Sequence, residues 1–259
     1  MIFNGNNIKL KSVLNFRDIG GVHAGNGSFL KRGWIFRSAS LDSISKRDLA
    51  IIRKLGIKTV VDLRGPSEQK KKRRDFGGIR VVSLPLDFQG KTRERLYPYF
   101  KQKNPEEKIL EVSNSLYLEI AEASAPVLAG ILEILGSPDS GAILIHCQAG
   151  KDRTGILVAL LHIIAGTERR FIIEDFLRSN DELIPYFKRL FMIRKIISFG
   201  LFPYSTVIFA IRVKEKNIES VIDLVLNKPG GIEGYLGPAG FDTSRLAELR
   251  KKLVENGKE

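Results

Sequence analysis

The sequence predicts an α/β fold in which a central, mostly parallel sheet is flanked by helices. Short apolar segments rich in β-branched residues alternate with longer segments whose apolar residues recur at helical spacing. The chain has 259 residues, 43% hydrophobic and 27% charged, so it is long enough to bury a full core. We therefore expect one domain over residues 1–259, in which residues 88–140 form a lid or helical insertion and residues 168–259 a mainly helical C-terminal part.

The N-terminal part is predicted to begin with extended chain over residues 12–16. Residues 24–28 have turn composition, and residues 34–36 are typical of a returning strand, so we expect a β-hairpin here. Three polar side chains of this region either form a buried polar brace or cap a turn: Arg17, Asp18 and Arg37.

The next segment is predicted to contain one helix and two strands. Residues 45–55 carry an apolar helical face with Ser45 as a candidate N-cap. Residues 58–63 indicate a central strand, and residues 79–84 alternate as a second strand does. Asp87 follows that second strand, at the edge where open parallel sheets collect ligands, so it is a candidate acid; an ordinary turn-capping aspartate is the alternative.

Most of the remaining chain is predicted to be helical. Residues 88–107 are polar with interspersed aromatic residues, and we expect an irregular excursion or lid there. Apolar residues at helical spacing predict six further helices, over residues 110–120, 125–135, 168–178, 182–197, 216–226 and 243–253.

A loop between a strand and a helix contains the residues with the clearest chemistry. Residues 142–145 are a short apolar strand candidate, and residues 156–165 repeat apolar residues as a buried helix does. The two glycines of the loop allow the backbone N–H groups to turn inward at the helix N-terminus, an arrangement that binds anions. The loop reads His146-Cys147-Gln148-Ala149-Gly150-Lys151-Asp152-Arg153-Thr154-Gly155.

The loop predicts nucleophilic chemistry at Cys147. Inward N–H groups, a helix N-terminus and a guanidinium favour thiolate, and comparable thiols reach pKa values of about 3.5–7.5 against about 8.5 when free. Arg153 supplies a planar fork for two phosphate oxygens. Attack of the sulfur on a phosphoryl group would form a cysteinyl-phosphate. A buried structural cysteine is the alternative. The predicted phosphate-binding residues are Gln148, Ala149, Gly150, Lys151, Asp152, Arg153 and Thr154.

The stretch from His146 to Thr154 is similar to the signature loop of the cysteine-based protein tyrosine phosphatases. The sequence Asn-Phe-Arg-Asp-Ile-Gly-Gly at residues 15–21 and the Lys-Asp-Arg-Thr of the loop further resemble the atypical bacterial tyrosine and phosphoinositide phosphatases. Residues 36–38, 61–64 and 176–181 also fit this family. The resemblance implies a cysteine-based tyrosine phosphatase-like fold and a phosphatase of dual or triple specificity, including phosphoinositides. It also implies that His146 fixes the loop by hydrogen bonds.

The resemblance leaves the acid and water-activating roles divided between two aspartates. Asp87 is the first choice, by similarity to the acid-bearing loop of the family, whereas Asp152 could orient water or shape the pocket. The chain lacks the Trp-Pro-Asp acid loop of the better-known tyrosine phosphatases, since Trp34 is its only tryptophan. Lys151 matches a lysine of lipid phosphatases and would meet a second phosphate; a solvated surface lysine is the alternative.

Composition restricts cofactors and partners. A single cysteine excludes an intrachain disulfide and a Cys-rich zinc site, and we expect neither a metal nor another cofactor. The net charge of +13 favours anionic partners, namely phosphorylated proteins, phosphoinositides or an anionic membrane surface. Nucleic acid is not expected as a partner. The basic run at residues 70–74 is either a binding patch or, more commonly, a solvated loop.

Two other function classes remain open at this point, a phosphate-reading module without turnover and a sulfurtransferase. The presence of both Cys147 and Thr154 favours an active phosphatase. No stretch approaches the roughly 18 apolar residues of a membrane span, and no signal peptide is visible, so we expect a cytoplasmic protein or export without a signal peptide. We also expect an exposed Cys147 thiolate that peroxide oxidises.

Overall fold

The structure is a computed structural model of the chain, and it describes residues 8–69 and 75–256. The basic run at residues 70–74 lies outside the described residues. The described strands are β1 (Arg17–Asp18), β2 (Ser28–Leu30), β3 (Ile35–Ser38), β4 (Ile57–Asp62), β5 (Arg80–Ser83), β6 (Ala142–His146) and β7 (Val254–Asn256). The described α-helices are α1 (Lys46–Lys54), α2 (Gln89–Leu96), α3 (Glu106–Ala123), α4 (Ala125–Gly136), α5 (Arg153–Ala165), α6 (Arg169–Leu177), α7 (Ser179–Ile197), α8 (Tyr204–Ile211), α9 (Glu215–Leu226), α10 (Gly231–Leu236) and α11 (Thr243–Leu253).

A five-stranded sheet of order β1-β3-β6-β4-β5 forms the centre of the fold. All its pairs are parallel except β1 with β3, so the predicted α/β fold with a mostly parallel sheet is confirmed. Ser38 and Asp62 both pair with His146, which means that β3, β4 and β6 end at the same level. The loops that follow these three strands therefore meet at one edge of the sheet.

The hydrophobic core lies on both faces of the sheet, because successive residues of β6 point to opposite sides. Ile143 and Ile145 belong to the larger cluster, which includes α5 and parts of α3, α4 and α9. Leu144 belongs to the second cluster, which includes α1. α5 is buried along its whole length. The helix that follows the predicted loop is thus held rigidly against the sheet.

Helices α7 and α8 form a hairpin with a small cluster of its own. Phe191, Val207 and Ile208 are its buried residues, and Phe187 and Phe202 pack against them. This α7–α8 hairpin contacts the body of the protein through α6 and α3. Within the described residues, no helix combines the length and apolar character that crossing a membrane requires.

Several predicted elements are confirmed. α1 begins after Ser45, whose hydroxyl accepts the N–H of Asp48 at 3.1 Å, as expected of an N-cap. The strand after α1, the strand before Asp87 and the six predicted helices are present with shifted ends. The predicted returning strand is β3, but its antiparallel partner is β1 (Arg17–Asp18) and not residues 12–16, and β2 between them pairs with the C-terminal β7. The division into one domain with an insertion remains a prediction.

Two local predictions were wrong, and two helices were not predicted. Residues 12–16 are bends and turns, because the Ser12 N–H binds the Asp48 carboxylate at 2.7 Å and Asn15 has a φ of +57°. Residues 88–107 are not irregular but contain α2 and a 3₁₀ turn, since Leu96 packs into a cluster with Ile109 and Leu116, and the lid remains a prediction. α8 and α10 were not expected at all. α8 ends in a short continuous apolar run, residues 207–211, which periodicity alone cannot assign to a helix or a strand.

Candidate active site

Cys147 lies at the start of the loop between β6 and α5, which we call the phosphate loop (residues 146–155). Its Sγ accepts a hydrogen bond from the N–H of Gly150 at 3.3 Å. Gly150 has a φ of +67°, and a Cβ there would lie 2.2 Å from the carbonyl oxygen of Ser38. Only glycine fits this position, so the turn of the loop back over the sulfur depends on it.

A buried brace of Arg17, Arg37 and Asp175 lies behind the phosphate loop. Asp175 accepts from Nε of Arg17 at 2.7 Å and from a terminal nitrogen of Arg37 at 2.5 Å. The carbonyl of Gly150 accepts from Arg37 at 2.7 Å and from the amide of Asn15 at 2.7 Å. These bonds therefore hold the carbonyl of Gly150, the residue whose N–H group donates to the sulfur.

The charges of the brace are stable at neutral pH despite their burial. Burial raises the pKa of the Asp175 carboxyl, but the two arginines outweigh it and hold that pKa far below its usual value. Burial and the neighbouring Arg17 lower the pKa of Arg37 to about 10. The brace is thus an ionic triad with one anion and two cations.

Asp18 does not belong to this brace. Its carboxylate accepts the N–H groups of Gly20 at 2.9 Å and Gly33 at 2.6 Å, and burial raises its pKa above the usual value. The sequence left two alternatives open for these three residues. Arg17 and Arg37 belong to a buried brace, whereas Asp18 caps a turn.

Glu68 holds the guanidinium of Arg153. Its two carboxylate oxygens accept from the two terminal nitrogens of Arg153 at 2.5 and 2.6 Å, and the Glu68 side chain is only 2% exposed. The Leu86 carbonyl accepts from the same guanidinium at 3.1 Å. Burial lowers the pKa of Arg153, but Glu68 outweighs it and raises that pKa above its usual value. Arg153 is therefore charged and oriented.

The sequence analysis missed Glu68, although a signal for it was present. Glu68 follows β4 as Asp87 follows β5, so both lie beyond the C-terminal ends of parallel strands. The Gly65 N–H binds the Glu68 carboxylate at 3.0 Å. Arg64, beside this turn, pairs with Asp62 at 2.9 Å.

His146 is buried and faces the backbone of the loop. Its Nδ1 lies 3.2 Å from the Cys147 carbonyl oxygen, and its Nε2 lies 3.9 Å from the carboxylate of Asp62. Burial lowers the pKa of His146 below its usual value, so the ring is neutral at pH 7. This geometry is consistent with the expected supporting position.

Asp152 is engaged by two neighbours. Its carboxylate accepts a hydrogen bond from the hydroxyl of Tyr117 and pairs with Nζ of Lys151 at 2.7 Å. Burial raises the pKa of Asp152, but Lys151 and Tyr117 outweigh it and leave that pKa below its usual value. Burial and Asp152 together raise the pKa of Tyr117, which stays protonated. The sequence analysis did not identify Tyr117, which approaches the loop from α3.

Lys214 adds a second cation beside Lys151. Burial and then the repulsion from Lys151 lower the pKa of Lys214 to about 8. Lys151 and Asp152 also line a small cavity together with Arg212 and Asn217. This side of the phosphate loop therefore presents several cations beside the Asp152 carboxylate.

The remaining predicted residues lie at or near the loop. Asp87 is exposed, and its carboxyl packs directly against Gly65, in the turn that carries Glu68. The Thr154 hydroxyl is buried and has no hydrogen-bond partner among the described residues. Cys147 is only 2% exposed, so the expectation of an exposed thiolate was wrong. The described residues contain no group of His, Cys, Asp and Glu arranged to hold a metal ion.

Comparison with known proteins identifies similar chains. A family model described as the tyrosine phosphatase family matches residues 8–255. A Cupriavidus necator protein with a provisional tyrosine-protein phosphatase name is 30% identical over 173 residues, 65% of this chain and 61% of that protein. The triple specificity protein phosphatase PtpB of Mycobacterium tuberculosis is 27% identical over 95% of this chain and 98% of its own length. Among solved structures, the core catalytic domain of the PP-IP phosphatase SIW14 from S. cerevisiae is 20% identical with a TM-score of 0.38, covering 66% of this chain and 78% of that one.

Proposed function

The chain belongs to the tyrosine phosphatase family, and on that premise we propose that it hydrolyses phosphomonoesters through a cysteinyl-phosphate on Cys147. The hydrogen bond from the Gly150 N–H to Sγ is the observation that carries this proposal, because it combines a nucleophile with an N–H group of the anion-binding loop. The brace and Glu68 support it, since they orient Gly150 and Arg153 before substrate arrives.

In the first step, Sγ attacks phosphorus and the bond from phosphorus to the ester oxygen breaks. Arg153 and the inward N–H groups bind the equatorial oxygens, whose negative charge develops in the transition state. The Thr154 hydroxyl is available as a donor to the sulfur, because it is buried without another partner among the described residues. In the second step, water attacks phosphorus and the bond to sulfur breaks, which releases inorganic phosphate and regenerates the Cys147 thiolate.

Asp87 is proposed as the acid that protonates the leaving oxygen. Its position near the Arg153-binding carbonyl of Leu86 supports this role. Asp152 is less suited to donate a proton, since its pKa is lowered and its carboxylate is already paired with Lys151. Asp152 is instead proposed to orient the water of the second step, and it remains the alternative acid.

The proposed substrates are phosphotyrosine proteins, phosphoinositides or both. Lys151, Lys214 and Arg212 provide cations beyond the phosphate loop, where a ring bearing a second phosphate would extend. The name of the mycobacterial relative, a triple specificity protein phosphatase, supports a broad substrate range. An anionic membrane surface is proposed as a partner that presents the lipid substrates.

Substitution of the nucleophile tests the proposed activity. Cys147→Ser should abolish turnover of p-nitrophenyl phosphate and retain phosphate binding, because a hydroxyl ionises far less than a thiol. Residual turnover within about tenfold of the wild-type rate would contradict the mechanism. Release of thiocyanate from thiosulfate and cyanide would support a sulfurtransferase instead. Binding of phosphate by the wild type without any turnover would support a phosphate-reading module.

A series of substrates with different leaving groups tests whether Asp87 is the general acid. Asp87→Asn should slow alkyl phosphates more than aryl phosphates, by about 10²–10⁴-fold at most, because a good leaving group needs little protonation. Asp152→Asn is the matched variant. A larger and leaving-group-dependent loss in that variant would transfer the acid role to Asp152.

A further inference from the structure

The connection between α7 and α8 exposes a continuous group of large apolar side chains. We call residues 196–201 the hairpin tip. The exposed fractions are 70% for Ile196, 72% for Ile197, 96% for Phe199 and 84% for Leu201. A folded protein does not normally leave so many neighbouring apolar side chains in water unless another surface covers them.

The hairpin tip is ordered, and its side chains are not required to hold the two helices together. The N–H of Phe199 binds the carbonyl of Ile196 at 3.1 Å, and the N–H of Gly200 binds the carbonyl of Lys195 at 2.9 Å. The α7–α8 contact is made by a separate buried cluster that includes Phe191 and Ile208. The apolar side chains of the tip are therefore free to contact something outside the chain.

Basic residues lie on α7, before the hairpin tip. Between Glu182 and Glu215 the sequence contains six lysines and arginines and no acidic residue. Four of the six are exposed and lie on α7: Lys188, Arg189, Arg194 and Lys195. Long basic side chains around an exposed apolar group match a surface that is negatively charged outside and apolar beneath.

We propose that the hairpin tip inserts into an anionic lipid surface. The positive charge beside the tip favours a lipid bilayer over a second copy of the chain as its partner. In a two-fold dimer the same patch would face itself, and the cations of each copy would oppose one another. A bilayer that contains acidic lipids instead offers phosphates to the cations and acyl chains to Ile196, Ile197, Phe199 and Leu201.

The position of the tip relative to the phosphate loop gives this docking a consequence, which rests on the proposed function. α8 leads from the tip to Ala210 and Arg212, which line the same cavity as Lys151 and Asp152. A helix of this length extends about 12 Å. Docking would therefore hold the phosphate loop close to the head groups of the lipids that it is proposed to hydrolyse.

Co-sedimentation with vesicles tests the docking without any reference to catalysis. The probe is the full chain with vesicles of phosphatidylcholine and phosphatidylserine in equal parts, compared with vesicles of phosphatidylcholine alone. The double variant Phe199→Asn with Leu201→Ser should lower the partition coefficient at least about tenfold. Phe199 has a φ of +51°, which asparagine adopts more readily than phenylalanine, so this change is compatible with folding. Leu226→Asn, which changes an exposed leucine at the end of α9, is the matched control and should bind normally.

A second pair of matched double variants tests the basic residues. Arg194→Gln with Lys195→Gln should weaken binding to the anionic vesicles by about fivefold for each charge. Lys46→Gln with Arg47→Gln, an exposed pair of cations on α1, should have little effect. Equal losses in the two double variants would assign vesicle binding to net charge alone and would overturn a specific role of the tip.

Catalysis then separates failure of the docking from failure of the proposed function. Cys147→Ser should bind vesicles as the wild type does. The Phe199→Asn, Leu201→Ser variant should hydrolyse p-nitrophenyl phosphate normally and lose activity only toward a phosphoinositide embedded in vesicles. Wild-type protein that does not bind anionic vesicles, a tip variant that binds as well as the wild type, or a wild-type dimer that the tip variant dissociates would each overturn the proposal.

Discussion

At the phosphate loop, charged side chains are buried, whereas at the hairpin tip apolar side chains are exposed. Arg17, Arg37 and Asp175 are each less than 10% exposed, while Phe199 is 96% exposed. Both arrangements reverse the usual distribution of residues between core and surface. The two regions are nevertheless joined, because Asp175 lies on α6 and Phe199 follows α7, the next helix along the chain.

The comparison shows two ways in which side chains can be placed without stabilising the fold, by burial of charge at the brace and by exposure of apolar groups at the hairpin tip. A buried ionic triad is costly to desolvate, and an apolar core of similar shape would often be more stable. The brace is consistent with a requirement to fix the Gly150 peptide rather than to stabilise the fold. The apolar side chains of the tip contribute little to the free energy of unfolding as long as water surrounds them. Four variants test this contrast.

The largest effect on stability is expected at the brace. Asp175→Asn would leave Arg17 and Arg37 buried without a counter-charge, and we expect a loss of about 3–5 kcal/mol in the free energy of unfolding. Urea denaturation measures this loss. The matched control is Asp223→Asn, which breaks the exposed pair of Asp223 with Arg169 and should cost less than about 1 kcal/mol. Similar losses in the two variants would show that the brace is not a special site.

A smaller effect, on activity, is expected at Glu68. Glu68→Gln keeps the shape of the side chain but removes its charge and replaces one of the two acceptor oxygens with an NH₂ group, so the Arg153 guanidinium loses one hydrogen bond and its counter-charge. We expect kcat/KM for p-nitrophenyl phosphate to fall about 10–100-fold. Glu94→Gln on the exposed side of α2 is the control. Unchanged kinetics in Glu68→Gln would mean that Arg153 is oriented without it.

Lys214 interacts with Lys151 of the phosphate loop and predicts a pH effect. Its folded pKa of about 8 is below the unfolded value, so as pH rises through 8 the folded protein loses a proton that the unfolded chain still holds. The contribution of Lys214 to stability therefore increases from about pH 8 up to its unfolded pKa. The lost positive charge should raise KM for a doubly phosphorylated substrate by about fivefold over the same range. Lys214→Gln should remove this rise, and a rise that persists in the variant would assign it to another group.

The smallest effect is expected at the hairpin tip. The double variant Phe199→Asn with Leu201→Ser should change the free energy of unfolding by no more than about 0.5 kcal/mol in the absence of lipid, because the replaced side chains are already in water. Thermal and urea denaturation without vesicles measure it. A loss comparable to that of Asp175→Asn would mean that the tip packs against the protein in solution.

Sequence reasoning located the phosphate loop because its residues are consecutive. It located the buried helix and the central strands because their apolar residues follow regular spacing. It did not find the partners of these residues, since Glu68 and Arg153 are 85 positions apart and Arg37 and Asp175 are 138 apart. Such contacts depend on which strand lies beside which. The rule that singled out Asp87 applied equally to Glu68, but only the strand order explains why Glu68 reaches Arg153.

The long sequence separation between the arginines and the aspartate of the brace also affects folding while the chain is being synthesised. Arg17 and Arg37 leave the ribosome long before Asp175, with which they pair across 158 and 138 positions. At ordinary elongation rates this interval is on the order of ten seconds. β3 likewise has no parallel neighbour in the sheet until β6 has been synthesised. The nascent N-terminal third therefore emerges with cations and a strand edge that have no native partner yet, and the catalytic pocket can assemble only after α6 has been translated.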